Sequence, residues 1–144
     1  MHVIVVSFNV DIEFSSGFGT YGITSTDSTL ELSNVSIIAA PWTGIKLSGG
    51  ELTADQLYIE NATAYGINLG SSAVASVSNS EINNTFYTDD GSGSIFDGVG
   101  IYVSDGATLT TDGNIYLDNI LASVYTEAGD AYLNNDYSDN KLGQ

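Results

Sequence analysis

The chain has no cysteine, no arginine, two lysines and one proline in 144 residues. The missing cysteine excludes disulfides, zinc thiolates and thiol nucleophiles, and is compatible with an oxidising compartment. Lys46 and Lys141 face 18 Asp and Glu, for a formal net charge of -16. Nucleic acid is excluded as a partner, because phosphate contacts need Lys and Arg. Anionic membranes and acidic polysaccharides are excluded too unless a cation bridges them. The same negative field suits divalent cations. Long apolar runs are also missing: the opening segment has only the aliphatic stretch Val3 to Val6. Nothing here is long enough to span a bilayer, so the expectation is no membrane insertion by this chain. Without a basic n-region or a small-residue cleavage site, the first residues do not read as a signal peptide, and an export signal would lie outside this sequence. His2, beside Met1, has no partner pattern and reads as inert.

What is present is repetition. The phrase Gly-Ile recurs as GITS at Gly22, GIKL at Gly44, GINL at Gly66 and GIYV at Gly100, with a degraded SVYT at Ser123. The intervals are 22, 22, 34 and 23 residues. Repeats of this size indicate a solenoid, a propeller or an array. No amphipathic helix is legible. Apolar residues instead alternate at period two over short stretches bounded by Gly, Ser, Asn or Asp, as in Leu30-x-Leu32, Ile45-x-Leu47, Ile67-x-Leu69 and Ile115-x-Leu117, which is the pattern of short strands between tight turns. Pro41 lies between two such stretches, where it costs no ladder bond.

Overlaying the units predicts three strands per repeat and four inward columns. These are Ile23/Ile45/Ile67/Ile101/Val124, Leu47/Leu69/Val103, Leu30/Leu52/Val74/Leu109 and Ile37/Ile59/Ile82/Leu117. Three short strands in ~22 residues make one coil of a parallel β-helix, whose coils stack ~4.8 Å apart. No coil buries its own face, so stacking supplies the stability. Asn61, Asn84 and Asn119 follow the last inward residue by two and are expected to stack at a corner. The repeated glycines are expected at another corner that needs φ > 0. A propeller needs about 40 residues per repeat, and the leucine-rich-repeat signature is absent. An antiparallel sandwich fits the strands but leaves the repeated phrase unexplained. The expected architecture is therefore all-β, a parallel β-helix of about five rungs in one domain over residues 1–144. Residues 1–20, alternating from Ile4 to Phe14, form a first rung or an N-terminal cap; residues 21–144 carry the repeats, with an insertion at 85–98. After Leu133 the apolar pattern fades, which predicts a weak last rung and a poor cap.

GIKLSGGELTADQLYIENAT, GINLGSSAVASVSNSEINNT and GIYVSDGATLTTDGNIYLDN resemble right-handed parallel β-helix repeats, most closely those of bacterial autotransporter passenger domains and related surface adhesins. The resemblance covers about residues 21–140 and rests on a loose motif that pectate-lyase-like enzymes share. It implies export, an extracellular or bacterial cell-surface location, and adhesion to a host or bacterial surface glycan or protein, or self-association. This chain lacks the membrane barrel of a whole autotransporter and corresponds at most to a passenger portion.

The long interval carries the insertion TFYTDDGSGSIFDG. Insertions in repeat proteins emerge as loops on one face, often the binding face. Phe86, Tyr87, Asp89, Asp90, Phe96 and Asp97 make this a candidate contact surface for carbohydrate or protein; the plainer reading is a tolerated solvated loop. Asp90, Ser92, Ser94 and Asp97 place side-chain oxygens at near-alternate positions and form a candidate calcium site, without the closing Glu of a full calcium loop. No other cofactor is indicated. No catalytic residue is singled out: a lyase needs a base that two distant lysines do not supply, and no carboxylate pair is marked by spacing for sugar hydrolysis. A carbohydrate-active enzyme of pectate-lyase-like fold, or a fragment of one, is the alternative. Glu60 and Glu81 read as a solvated face. Tyr21, Tyr65 and Tyr102 recur around the Gly-Ile phrase, either as rings stacked between rungs or as a sugar-binding stripe.

Overall fold

A residue with left-handed backbone turns the chain three times per coil. One corner column is Asp27, Gly49, Ser72 and Gly106; the next is Asn9, Asn34, Gln56, Asn79 and Gly113; the third is Ala39, Asn61, Asn84 and Asp118. All have φ between 46° and 82°. Asn, Asp and Gly tolerate that region best, which explains the Asn- and Gly-rich stretches between apolar pairs. In this computed structural model, residues 4–14, 21–86, 98–128, 131–132 and 137–138 are described. They form an all-β parallel solenoid of about four turns, with no helix.

The strands are β1 Ile4–Glu13, β2 Tyr21–Ile38, β3 Thr43–Glu60, β4 Tyr65–Leu69, β5 Ala73–Ser78, β6 Glu81–Asn83, β7 Val99–Val103, β8 Thr108–Asp112, β9 Ile115–Leu117, β10 Ala122–Thr126, β11 Ala131–Tyr132 and β12 Tyr137–Ser138. Each of β2 and β3 runs along all three sides of the coil. Below them the sides separate. Side 1 is β4, β7 and β10; side 2 is β5 and β8; side 3 is β6 and β9. All of these pairings are parallel, and β1 stacks parallel on β2 over sides 2 and 3. The first segment is thus a rung of the solenoid.

Ile23, Ile45, Ile67, Ile101 and Val124 stand in one register column, as the repeat predicts. Leu47, Leu69 and Val103 form the next. The two other predicted columns need one correction each. On side 2, Leu52 is followed by Ala75 and Leu109, and Val74 points outward, 49% exposed. On side 3, Ile37, Ile59 and Ile82 are followed by Tyr116, fully buried, while Ile115 is 44% exposed and Leu117 stands under Asn83. Both errors are one-residue slips, and a slip of one turns a strand's inside out. Each fully buried Ile or Leu contributes about 1.5–3 kcal/mol by leaving water.

The glycines of the repeated phrase are not corner residues. They lie inside side 1 without positive φ. A Cβ on Gly44 would stand 2.6 Å from the Gly66 carbonyl oxygen and 2.9 Å from Ile59 Cγ2; on Gly66 it would stand 2.4 Å from Ile82 Cγ2 and 2.6 Å from the Gly100 oxygen. Their role is close approach of stacked backbones, where no side chain fits. The asparagine column is corrected as well: Asn61 stands over Asn84 and then Asp118, while Asn119 lies one position further on, fully buried.

The end of the chain also departs from expectation. In place of a fading parallel rung, β11 pairs antiparallel with β10 and β12 pairs antiparallel with β9.

Candidate functional site

Side 1 carries two further columns: Tyr21, Thr43, Tyr65, Val99 and Ala122, fully buried at Thr43, Val99 and Ala122, and Thr24, Lys46, Asn68, Tyr102 and Tyr125. Every parallel pairing puts the next residue of a column one rung below, so aromatic side chains in neighbouring rungs meet. The Tyr65 and Tyr102 ring centroids are 5.0 Å apart, and Tyr102 stacks on Tyr125 at 5.5 Å with 20° between planes. Tyr21 and Lys46 occupy the same diagonal two rungs higher, with the ammonium 4.8 Å from the ring centroid and 3.2 Å from the Tyr21 hydroxyl, to which it donates. Ala64, Tyr65, Val99, Tyr102 and Ala122 form a second apolar cluster outside the main core, flanked by Trp42, Leu121 and Tyr125. Because the rings stack on one another along the solenoid, Tyr65 and Tyr102 are 9% and 8% exposed. Their faces are spent on each other. A platform of open ring faces for sugars is therefore not what Tyr65 and Tyr102 supply; the half-buried Trp42 and Tyr21 have more free surface.

The insertion leaves and rejoins the coil beside this band. Phe86 N–H donates to the Ala62 carbonyl, Gly98 N–H to Ala64 at 2.7 Å, and Leu121 N–H to Gly98 at 2.9 Å. The roots of the loop are thus pinned between the corner above and the corner below, next to Tyr65 and Val99. Phe86 is 44% exposed at one root. The other predicted contact residues, Tyr87, Asp89, Asp90, Phe96 and Asp97, lie outside the described residues, as do Ser92 and Ser94 of the candidate calcium site. Among the described residues, no three His, Asp or Glu side chains converge to hold a metal.

The electrostatics of the band centre on Glu127. Its carboxylate accepts from the Tyr102 hydroxyl at 2.5 Å and from the Asp105 N–H at 2.7 Å. The tyrosine first, and the backbone donor second, hold its proton affinity below the ordinary value. Burial, then Glu127, pushes Tyr102 far above its ordinary value, so the phenol stays protonated as donor. Thr43 Oγ1, enclosed between the Tyr21 and Tyr65 levels, has no hydrogen-bond partner. Asp55 accepts from Ser78 at 2.9 Å and from Asn79 at 2.7 Å, and these bonds, Asn79 first, lower its pKa. Glu81 stands below Tyr58 and Glu60 stands above Asn83, so the two acids are diagonal neighbours.

Two buried asparagines form polar hubs: Asn119, expected at a corner, and Asn114, which the sequence reading passed over. Asn114 Oδ1 accepts from Ser80 N–H at 2.8 Å and its Nδ2 donates to the Val77 carbonyl at 2.8 Å. Asn119 Oδ1 accepts from Thr85 N–H and Oγ1, and its Nδ2 donates to the Ile82 carbonyl. Ser80 and Asn114, like Thr85 and Asn119, are separated by the same 34 residues as Gly66 and Gly100, a signal that would have found them. They satisfy backbone at the corners rather than reach outward.

At the lower end, an opening of about 390 Å³ is lined by Val103, Ala107, Leu109, Thr111, Val124 and Thr126, among others. Compared with known proteins, the chain matches no family model, no curated protein and no solved structure.

Proposed function

We propose that this solenoid is a structural and adhesive module of a secreted or bacterial cell-surface protein, contacting a surface glycan, a partner protein or another copy of itself. The observation that carries the reading is convergence. The one break in the repeat enters and leaves at the corner that borders side 1. Side 1 also carries the Tyr and Trp band and Lys46, the one cation among the described residues. Trp42, Tyr21 and the exposed Phe86 keep free ring surface and are suited to contact, since aromatic side chains combine large area with little rotamer entropy. An unpartnered hydroxyl at Thr43 is a destabilising feature in the same place, and such departures from optimal packing collect at functional surfaces. The acidic, cysteine-free composition supports an extracellular setting.

The test is retention and turnover on a panel of neutral and acidic polysaccharides, with calcium and with a chelator. Trp42→Ala and Phe86→Ala flank the loop roots and are expected to weaken retention about tenfold, as loss of an aromatic anchor does, with no product formed. Release of reducing sugar would instead establish the carbohydrate-active enzyme. Retention on no glycan or surface protein, by a folded sample, would remove the adhesive reading. Loss of retention on chelation would give calcium its place in the loop.

A further inference from the structure

The two ends of the ladder fit each other. At the top, β1 covers sides 2 and 3 of β2, and its own outer edge has no partner among the described residues. At the bottom, β10 supplies side 1 of a further level, while β8 on side 2 is paired only to β5. The register columns connect these ends. Ile4, Thr29, Glu51, Val74 and Thr108 share one column, and Phe8, Ser33, Asp55, Ser78 and Asp112 another. The β1 of a second copy, placed below β8, would therefore supply the side that β10 leaves unfilled, and its β2 would then run below β10. The apolar opening lined by Val103, Leu109 and Val124 lies at this unfilled side. An open parallel edge over an apolar end is a template for another chain.

Two short strands stand in the way. β11 occupies the level below β10 where the second copy's β2 would pair, and β12 occupies the level below β9 where the latter half of its β1 would pair. Both run antiparallel, so neither offers the parallel register that a further copy needs.

We propose that β11 and β12 are a self-blocking cap, and that their displacement lets a second copy add head to tail through β1 on β8. Such a contact is heterologous and does not close on itself, so it propagates into filaments. A net charge of -16 opposes it, and screening favours it as the Debye length falls from about 30 Å at 0.01 M to about 8 Å at 0.15 M ionic strength. The proposal is independent of any ligand on side 1.

The chain's lack of cysteine makes the test clean. Ile4→Cys and Thr108→Cys are made separately in the full chain and mixed under mild oxidation. Within one copy these positions are four rungs, about 19 Å, apart; across the proposed junction they are one rung, about 4.8 Å, apart. The mixture is expected to cross-link roughly tenfold more than either variant alone, because a disulfide needs Cα atoms within about 7 Å. Adding Ala131→Pro and Ser138→Pro, one in each capping strand, is expected to raise that yield and to convert a monomer into salt-promoted, concentration-dependent oligomers in light scattering. Equal cross-linking in the mixture and the single variants would overturn the proposal, whether or not the proline variants fold. So would folded proline variants that stay monomeric at every concentration and salt.

Discussion

The upper and lower turns of this solenoid solve the same corner in two ways. In β2 and β3 the strand passes each corner unbroken, and the columns beneath are aliphatic: Val35 over Leu57, Ile37 over Ile59. From β4 downward the strands are short, and polar or aromatic residues enter the same columns. Ser80 and Asn114 follow Leu57, and Tyr116 follows Ile82. Between β2 and β3 every pairing has the same 22-residue step, so the ladder runs through the bends. Below, the step on sides 2 and 3 becomes 23 and then 34. Side chains then reach corner amides: Ser80 Oγ accepts from Leu57 N–H at 3.0 Å, and Asn114 accepts from Ser80 N–H. A buried amide without a partner costs about 1–3 kcal/mol, so an aliphatic column can be given up where a side chain supplies the bond. On side 3, hydrophobic stacking fills the upper columns, and hydrogen-bonded hubs join it in the lower ones.

The largest test of that contrast is Ile59→Ala. Ile59 is fully buried between Ile37 and Ile82, and truncation is expected to cost about 2–5 kcal/mol in a urea titration. A cost below about 1 kcal/mol would show that the upper column carries little. Next is Asn114, where both Ala and Leu are expected to cost about 1–3 kcal/mol, because either leaves Ser80 N–H and the Val77 carbonyl unpaired. Rescue by Leu, the residue that stands two levels above at Leu57, would erase the distinction between the regions.

A smaller effect comes with alkali. Tyr102 is held protonated above its ordinary value of 10.0, so the unfolded chain releases this proton first. Its contribution is full below the unfolded pKa and is lost as pH rises from there toward the folded pKa. The melting midpoint is expected to fall above about pH 10, with a shallower fall in Tyr102→Phe than in the parent. Identical slopes would detach the Tyr102–Glu127 bond from stability. The smallest expected change is a gain. Thr43→Val removes the unpartnered hydroxyl in a column that already holds Val99, and should raise stability by up to about 1 kcal/mol. A loss would mean that Thr43 Oγ1 has a partner in solution.

Much of the fold was legible because Gly-Ile marks side 1 of four successive coils. The marker failed where local hydrophobicity pointed the wrong way. In Ala73-Val74-Ala75 the small residues face the core, and alternation favours the larger Val. In Ile115-Tyr116-Leu117 both phases are apolar, and the aromatic ring is the one that fits below Ile82. The glycines were found but misread, because positive φ is the common reason for a repeated Gly and a backbone approach is invisible without neighbours. The tyrosine band was visible as spacing. Its bond to Glu127 was not, since Glu127 belongs to the side-1 column of Ser104, which the repeat never marks. The cap was illegible because antiparallel pairing of two-residue strands leaves no periodicity to read.

The 34-residue interval adds a loop and no strand level, so that β5 and β8 are neighbours. Ser76 and Thr110 face each other across that pairing, both exposed. In the double variant Ser76→Cys with Thr110→Cys, a disulfide should form in the folded monomer, since adjacent strands lie about 4.8 Å apart, within disulfide reach. Thr53→Cys with Thr110→Cys, two levels apart, should not form one. Absence of the first cross-link in a folded sample, or equal formation of the second, would contradict the parallel stack.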